Sequence, residues 1–273
     1  MDLEVMHMKN LLLPITVIIL SMMGLSGQDC QYEKYFYWTS MAQIDFSEGD
    51  FEEARREFRI AFSTTEFPLG ADLGVALETA IRTRDTTWAE ELSIALAKGG
   101  IPLIYFDSLR NYPWYEHFAA DFDQYDHFYE TQYNLELRVR FMELVLADSL
   151  FNEDYHSWRK GEREMTLEEL IAGAKGISTG LQVLIDAYGF PCEQKMGYLF
   201  KEGQVRPFPL VILLIHIYQR GELFYKDRLD RIICDGKLKP TDRAILNGAR
   251  GFGDSSGVEQ EMQIRYNKYR PKR

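Results

Sequence analysis

The sequence predicts an all-α protein in which helical hairpins lead into a C-terminal helical bundle. Three observations predict it. Apolar residues recur every three or four positions through 51–62 and again through 115–133. Thr166-Leu-Glu-Glu169 is a helix-starting capping box. Gly-Pro pairs such as Gly99-Gly100-Ile101-Pro102 and Gly189-Phe190-Pro191 stand where helices should stop. The composition suits a folded chain: 46% of its 273 residues are hydrophobic and 27% charged. A formal net charge of −11 argues against a general nucleic-acid or anionic-membrane binder, since both need a basic field.

The first element is a predicted signal peptide, residues 1–27. Leu11 to Leu25 carries no charge, Lys9 precedes it, and Gly24, Ser26 and Gly27 close it. A basic start, a short apolar run and a small-residue exit direct export. The run is shorter than the ~20 residues of a spanning helix, so a retained anchor is the lesser alternative. Asp2 and Glu4 do not suit a basic start, so translation from Met8 is expected. The residues before Cys30 do not suit a lipid-attachment site. Export permits disulfides. Of the three cysteines, Cys192 and Cys234 are the expected pair, and two buried free thiols are the alternative.

Residues 30–104 are expected to form helical hairpins. Phe51, Ala54, Phe58, Ala61 and Phe62 make one helix face, preceded by a short turn at 46–51. Trp38, Ala42, Gly49-Asp50-Phe51, Ala54, Phe58 and Ala61 fall where a tetratricopeptide repeat places its packing residues, so the segment 35–100 resembles that family. A second unit is marked by Asp85 and Ala89, 35 residues after Asp50 and Ala54, close to the repeat length of about 34. The resemblance implies paired antiparallel helices that serve as a docking scaffold for a protein or peptide.

Residues 105–135 form an aromatic-rich connecting helix. Tyr115, Phe118, Phe122, Tyr125, Tyr129 and Tyr133 step by three or four. That spacing favours a buried aromatic face over a platform for sugar or peptide. Residues 136–262 are the C-terminal helical domain. A helix is expected over 135–150, a polar break over 152–163, and a helix from Thr166 to Tyr188. Pro207 opens an apolar run, Phe208 to Tyr218, read as a buried helix with a short strand as the alternative. Further helices are expected at 222–235 and from Lys239 to Gly248. Residues 263–273 are a basic tail, read as a solvated terminus, with docking to an acidic partner as the alternative.

Asp148, Tyr188-Gly-Phe-Pro191, Gly197, Leu213-Leu-Ile-His216, Asp242-Arg243, Gly257 and Gln260 are similar to a family of uncharacterised bacterial domains that follow signal peptides. Ser149 stands where that family often has Gln, and its acid and asparagine before the Gly-x-Pro turn are missing from Ala174–Ser178. The resemblance implies a shared fold and carries no activity.

The candidate pocket is Asp148, His216, Asp242, Arg243 and Gln260. His216 lies among Val211, Ile212, Leu213, Leu214, Ile215 and Ile217 and must find a polar partner. Either it is a core histidine or it works at a pocket floor. Asp242 also suits a first-turn position against the helix dipole. Gly251 to Gly257 lacks the lysine and Ser/Thr of a phosphate loop. Glu153, Asp154 and His156 fit no metal spacing and are read as a solvated loop. No Cys/His spacing resembles a zinc site, no G-x-S-x-G occurs, and no metal or cofactor is implied.

The expected function is therefore an exported interaction module of the cell envelope, periplasmic, cell-surface or extracellular, leaning away from catalysis. It would hold a protein or peptide partner, bind no nucleic acid, and make no stable membrane insertion once the signal is cleaved. The alternative is a hydrolase or small-ligand-binding protein using a pocket around His216; a purely structural exported protein is a third reading.

Overall fold

The computed structural model describes Cys30 and residues 32–249 and 257–269. The predicted signal, the glycine-rich stretch 250–256 and the last four residues of the basic tail lie outside the described residues. The described chain is all-α apart from one two-stranded hairpin. None of its helices is long and apolar enough to cross a membrane. The chain divides into two compact units, each assembled from separate segments.

The first unit takes residues 1–135, 192–208 and 231–240. It opens with four helices, α1 (Glu33–Glu48), α2 (Phe51–Ser63), α3 (Gly70–Arg82) and α4 (Thr86–Lys98). They pack as consecutive hairpins, α1 on α2 and α3 on α4, with α2 joined to α3. Gly49 ends α1 at φ 88°, in the left-handed region that glycine enters without strain. Asp50 then caps α2 by accepting the Glu53 N–H, and Asp85 caps α4 by accepting the Trp88 N–H, each at 3.2 Å. Two aspartates 35 residues apart thus do the same local job, as helical hairpin repeats would have it.

A 3₁₀ turn (Leu103–Leu109), α5 (Tyr115–Ala120) and α6 (Phe122–Gln132) follow, in place of one connecting helix. Their aromatics are core: Phe106, Tyr115, Phe118 and Phe122 are buried with Phe58, Leu77, Trp88 and Leu96. Segment 192–208 supplies α9 (Glu193–Met196), β1 (Leu199–Lys201) and β2 (Gln204–Arg206), the strands antiparallel with Leu199 opposite Arg206. The strands turn at Glu202 and Gly203, both at positive φ, a two-residue hairpin turn. The Tyr198 ring lies where a side chain on Gly70 or Gly99 would stand.

The cysteine pairing corrects the sequence expectation. Cys30 bonds Cys234, and Cys192 is a buried free thiol. The reason is tertiary. Segment 231–240 returns to the start of the first unit, where the Tyr32 N–H donates to the Cys234 carbonyl at 3.2 Å and the two cysteine Cα atoms lie 4.5 Å apart. Lys239 on the same segment pairs at 2.8 Å with Asp72, which is fully buried and also accepts from Tyr35 Oη and Gln43 Nε2.

The second unit takes 136–191, 209–230 and 241–273. Here α7 runs unbroken from Leu135 to Lys160, so the expected polar break after Asn152 is helix. Within it Tyr155 and Trp158 are buried among polar, mostly exposed neighbours. Next comes α8 (Leu167–Tyr188), started by the capping box: Thr166 Oγ1 accepts the Glu169 N–H, and the Thr166 N–H donates to Glu169 Oε2. The apolar run folds as α10 (Leu210–Gln219), a helix and not a strand. The helix expected over 222–235 is reduced to a 3₁₀ turn (Lys226–Arg228) and the short α11 (Leu229–Cys234). Then come α12 (Pro240–Ala249) and α13 (Gly257–Tyr269). Trp158, Leu170, Ala174, Val258 and Met262 form the core between α7, α8 and α13, with the Tyr266 ring stacked on Trp158.

Candidate functional site

The site is built on α7 and α10, with α13 completing one wall. On α7, Asp148, Asn152, Tyr155, His156 and Arg159 follow at spacings of four, three, one and three, which lines them along one stripe. On α10, His216 stands in the last turn and Arg220 caps the helix one turn on. The Arg220 cation suits a helix C-terminus, where backbone carbonyls concentrate negative potential.

Asp148 is the hub. Its side chain and that of Arg220 are each 5% exposed, and Arg220 Nη1 lies 2.7 Å from Asp148 Oδ1. Two donors converge on the other carboxylate oxygen, His216 Nδ1 at 2.5 Å and Asn152 Nδ2 at 3.3 Å. The Asn152 orientation follows from Arg220, whose Nη2 donates to Asn152 Oδ1 at 2.8 Å. The same Asn152 Nδ2 lies 2.7 Å from His216 Nδ1, so the imidazole nitrogen is wedged between the carboxylate and the amide. The Arg220 guanidinium also lies 4.7 Å above the Phe151 ring. Burial pulls Arg220 below the usual guanidinium range, and Asp148 opposes that fall.

A cavity of about 120 Å³ opens here, lined by Phe151, Asn152, Tyr155, His156, Arg159, His216, Gln219, Arg220, Met262 and Arg265. No carboxylate lines it. Asp148 is already held by Arg220 and His216. Glu261 is held by Arg265 Nε at 2.6 Å, while Arg265 Nη1 reaches Tyr155 Oη at 3.3 Å. Arg159, exposed at the rim, forms no ion pair among the described residues and rests on the Tyr269 ring, 4.4 Å from its centre. Among the described residues the lining has no serine, threonine, cysteine or lysine.

Of the residues named from sequence, the fold brings together Asp148 and His216. Asp242 stands half-buried in the first turn of α12 and does not line the cavity. Arg243 pairs with Asp230 at 2.8 Å, and Gln260 is exposed on α13. Asn152, His156, Arg159, Arg220 and Arg265 were not singled out as pocket residues. Their signal is the helical spacing running on from Asp148 and the His216-x-x-x-Arg220 pair, which the polar composition of 152–163 masks. No family model, no curated protein and no solved structure matches the chain.

Proposed function

We propose that this is an exported protein whose C-terminal unit binds a small anionic ligand, bearing phosphate or carboxylate, in the pocket around His216. One observation carries the reading: in a chain of net charge −11 this cavity is walled by three arginines and two histidines and by no acid. Arg159 and His156 at the rim are free to close on an anion, while Arg220 and Asp148 hold the floor rigid. Rigid donors lose little freedom on binding, which is what a recognition site needs. Export is supported by the apolar segment 11–25 and by the Cys30–Cys234 disulfide, a bond typical of oxidising compartments.

The test is calorimetric titration of the secreted protein with inorganic phosphate and with citrate at low salt. Arg159→Ala and His156→Ala change exposed side chains and should leave the fold intact. Loss of one charge-assisted contact should weaken binding about tenfold or more. Absence of binding by both probes at millimolar concentration, or unchanged binding in Arg159→Ala, would refute the reading.

A second reading rests on a different observation. The packing of α1 to α4 as consecutive hairpins, with aspartate caps repeated at 35 residues, supports tetratricopeptide-like docking of a protein or peptide in the first unit. A photocrosslinker at the exposed Tyr37 of α1 tests it in cells that export the protein. No adduct there, nor at the other exposed positions of α1, removes it.

A further inference from the structure

We propose that Asp45, Glu53 and Glu57 form a binding site for a hard divalent cation of the calcium class, clamping the first hairpin. Asp45 lies in the last turn of α1, and Glu53 and Glu57 lie one turn apart at the start of α2. One carboxylate oxygen from each falls within 4.8 Å of the others. Calcium holds oxygens at about 2.3–2.6 Å, so two ligands of one ion stand at most about 5 Å apart. The three carboxylates therefore already lie within reach of a single ion.

The second observation is Glu57 itself. It is only 4% exposed, and its Oε2 is buried with no hydrogen-bond donor among the described residues. A buried carboxylate oxygen without a donor is costly. The groups facing it are mostly acids. Asp45 lies within hydrogen-bonding reach of Glu57, and Glu53 adds a further negative charge. The cation nearby, Arg56, is committed to Glu53 through Nε and Nη2 on the exposed side. A buried carboxylate oxygen that faces acids and has no donor is a place a cation can fill. All donors are carboxylate oxygens, which selects hard ions over thiol- or imidazole-seeking metals. An irregular set from two helices suits the flexible coordination of calcium.

The experiment uses the full secreted chain with its disulfide intact, stripped with EDTA and held at pH 8 and constant ionic strength. Addition of 10 mM CaCl₂ should raise Tm by about 3–6 °C, as for a site of submillimolar to millimolar Kd. Glu57→Gln keeps the shape and lets an amide donate to Asp45. It should melt in EDTA no lower than wild type and show no calcium response. Asp45→Asn should also lose the response. A wild-type Tm indifferent to calcium overturns the proposal. A full calcium response retained in Glu57→Gln overturns it too, because the ions would then bind elsewhere on an acidic surface.

Discussion

Asp148→Asn removes one charge from the most buried ion pair of the candidate site. Both side chains of the Asp148–Arg220 pair are 5% exposed, so water cannot replace the lost partner. Arg220 stays charged at neutral pH, and its remaining support is Asn152 Oδ1 and the Phe151 ring. Breaking a buried pair from one side costs about 3–5 kcal/mol, a large share of the 5–15 kcal/mol that holds a domain. Urea unfolding followed by fluorescence reads the cost, with Trp158 buried in the second unit and Trp88 in the first. The Trp158 transition should fall while that of Trp88 holds. The Asp148→Leu/Arg220→Met double variant keeps an apolar filling and should recover most of the loss. A cost below about 1 kcal/mol for Asp148→Asn, or single-variant effects that simply add, would refute the argument that the pair acts as a unit.

Three further outcomes follow from the same structure. The Cys30–Cys234 bond spans 204 residues, so chain entropy puts its contribution near 5 kcal/mol. Reduction should lower the urea midpoint of wild type and of Cys192→Ser alike, and an unchanged midpoint would deny the bond. Burial pushes the Glu193 carboxyl up to about 7 despite the Gly70 N–H it accepts. Its stabilising form is the protonated one, so its contribution is complete below about pH 4.5 and is lost as pH rises through 7, about 3 kcal/mol in all. Glu57 adds a slope of the same sign. Glu193→Gln should flatten part of the decline in stability between pH 5 and 8, and an unaltered slope would contradict the burial argument. Thr166→Ala removes the cap of α8 and should cost about 1 kcal/mol, read as a Tm lower by a few degrees.

Local patterns were legible where the physics is local. The capping box at Thr166, the glycine stop at Gly189 and the turn before Phe51 depend on residues within one or two turns. The β1–β2 hairpin was readable in principle, because Glu202-Gly203 between short apolar strands is a turn signal. It escaped because strands of three residues carry almost no alternation. Half the site was legible through His216, an imidazole in an apolar run that demands a partner. Its partner Asp148 lies 68 residues away, and only family resemblance drew attention to it. Arg159 and Arg220 carry helical spacing from Asp148 and His216, but nothing local distinguishes the buried Arg220 from an exposed arginine.

By itself the sequence determined the helical class, the start and stop of the helix that Thr166 caps, the apolar helix after Pro207, and the buried Tyr115, Phe118 and Phe122 of the first unit. Each follows from side-chain period and backbone capping, which act over a few residues. Only the tertiary structure decided which cysteine pairs with Cys30, which acid meets His216, and that the polar stretch after Asn152 is a pocket wall. Those outcomes depend on chain segments far apart in sequence returning to one place. The information for that lies in the packing of whole helices and not in any single motif.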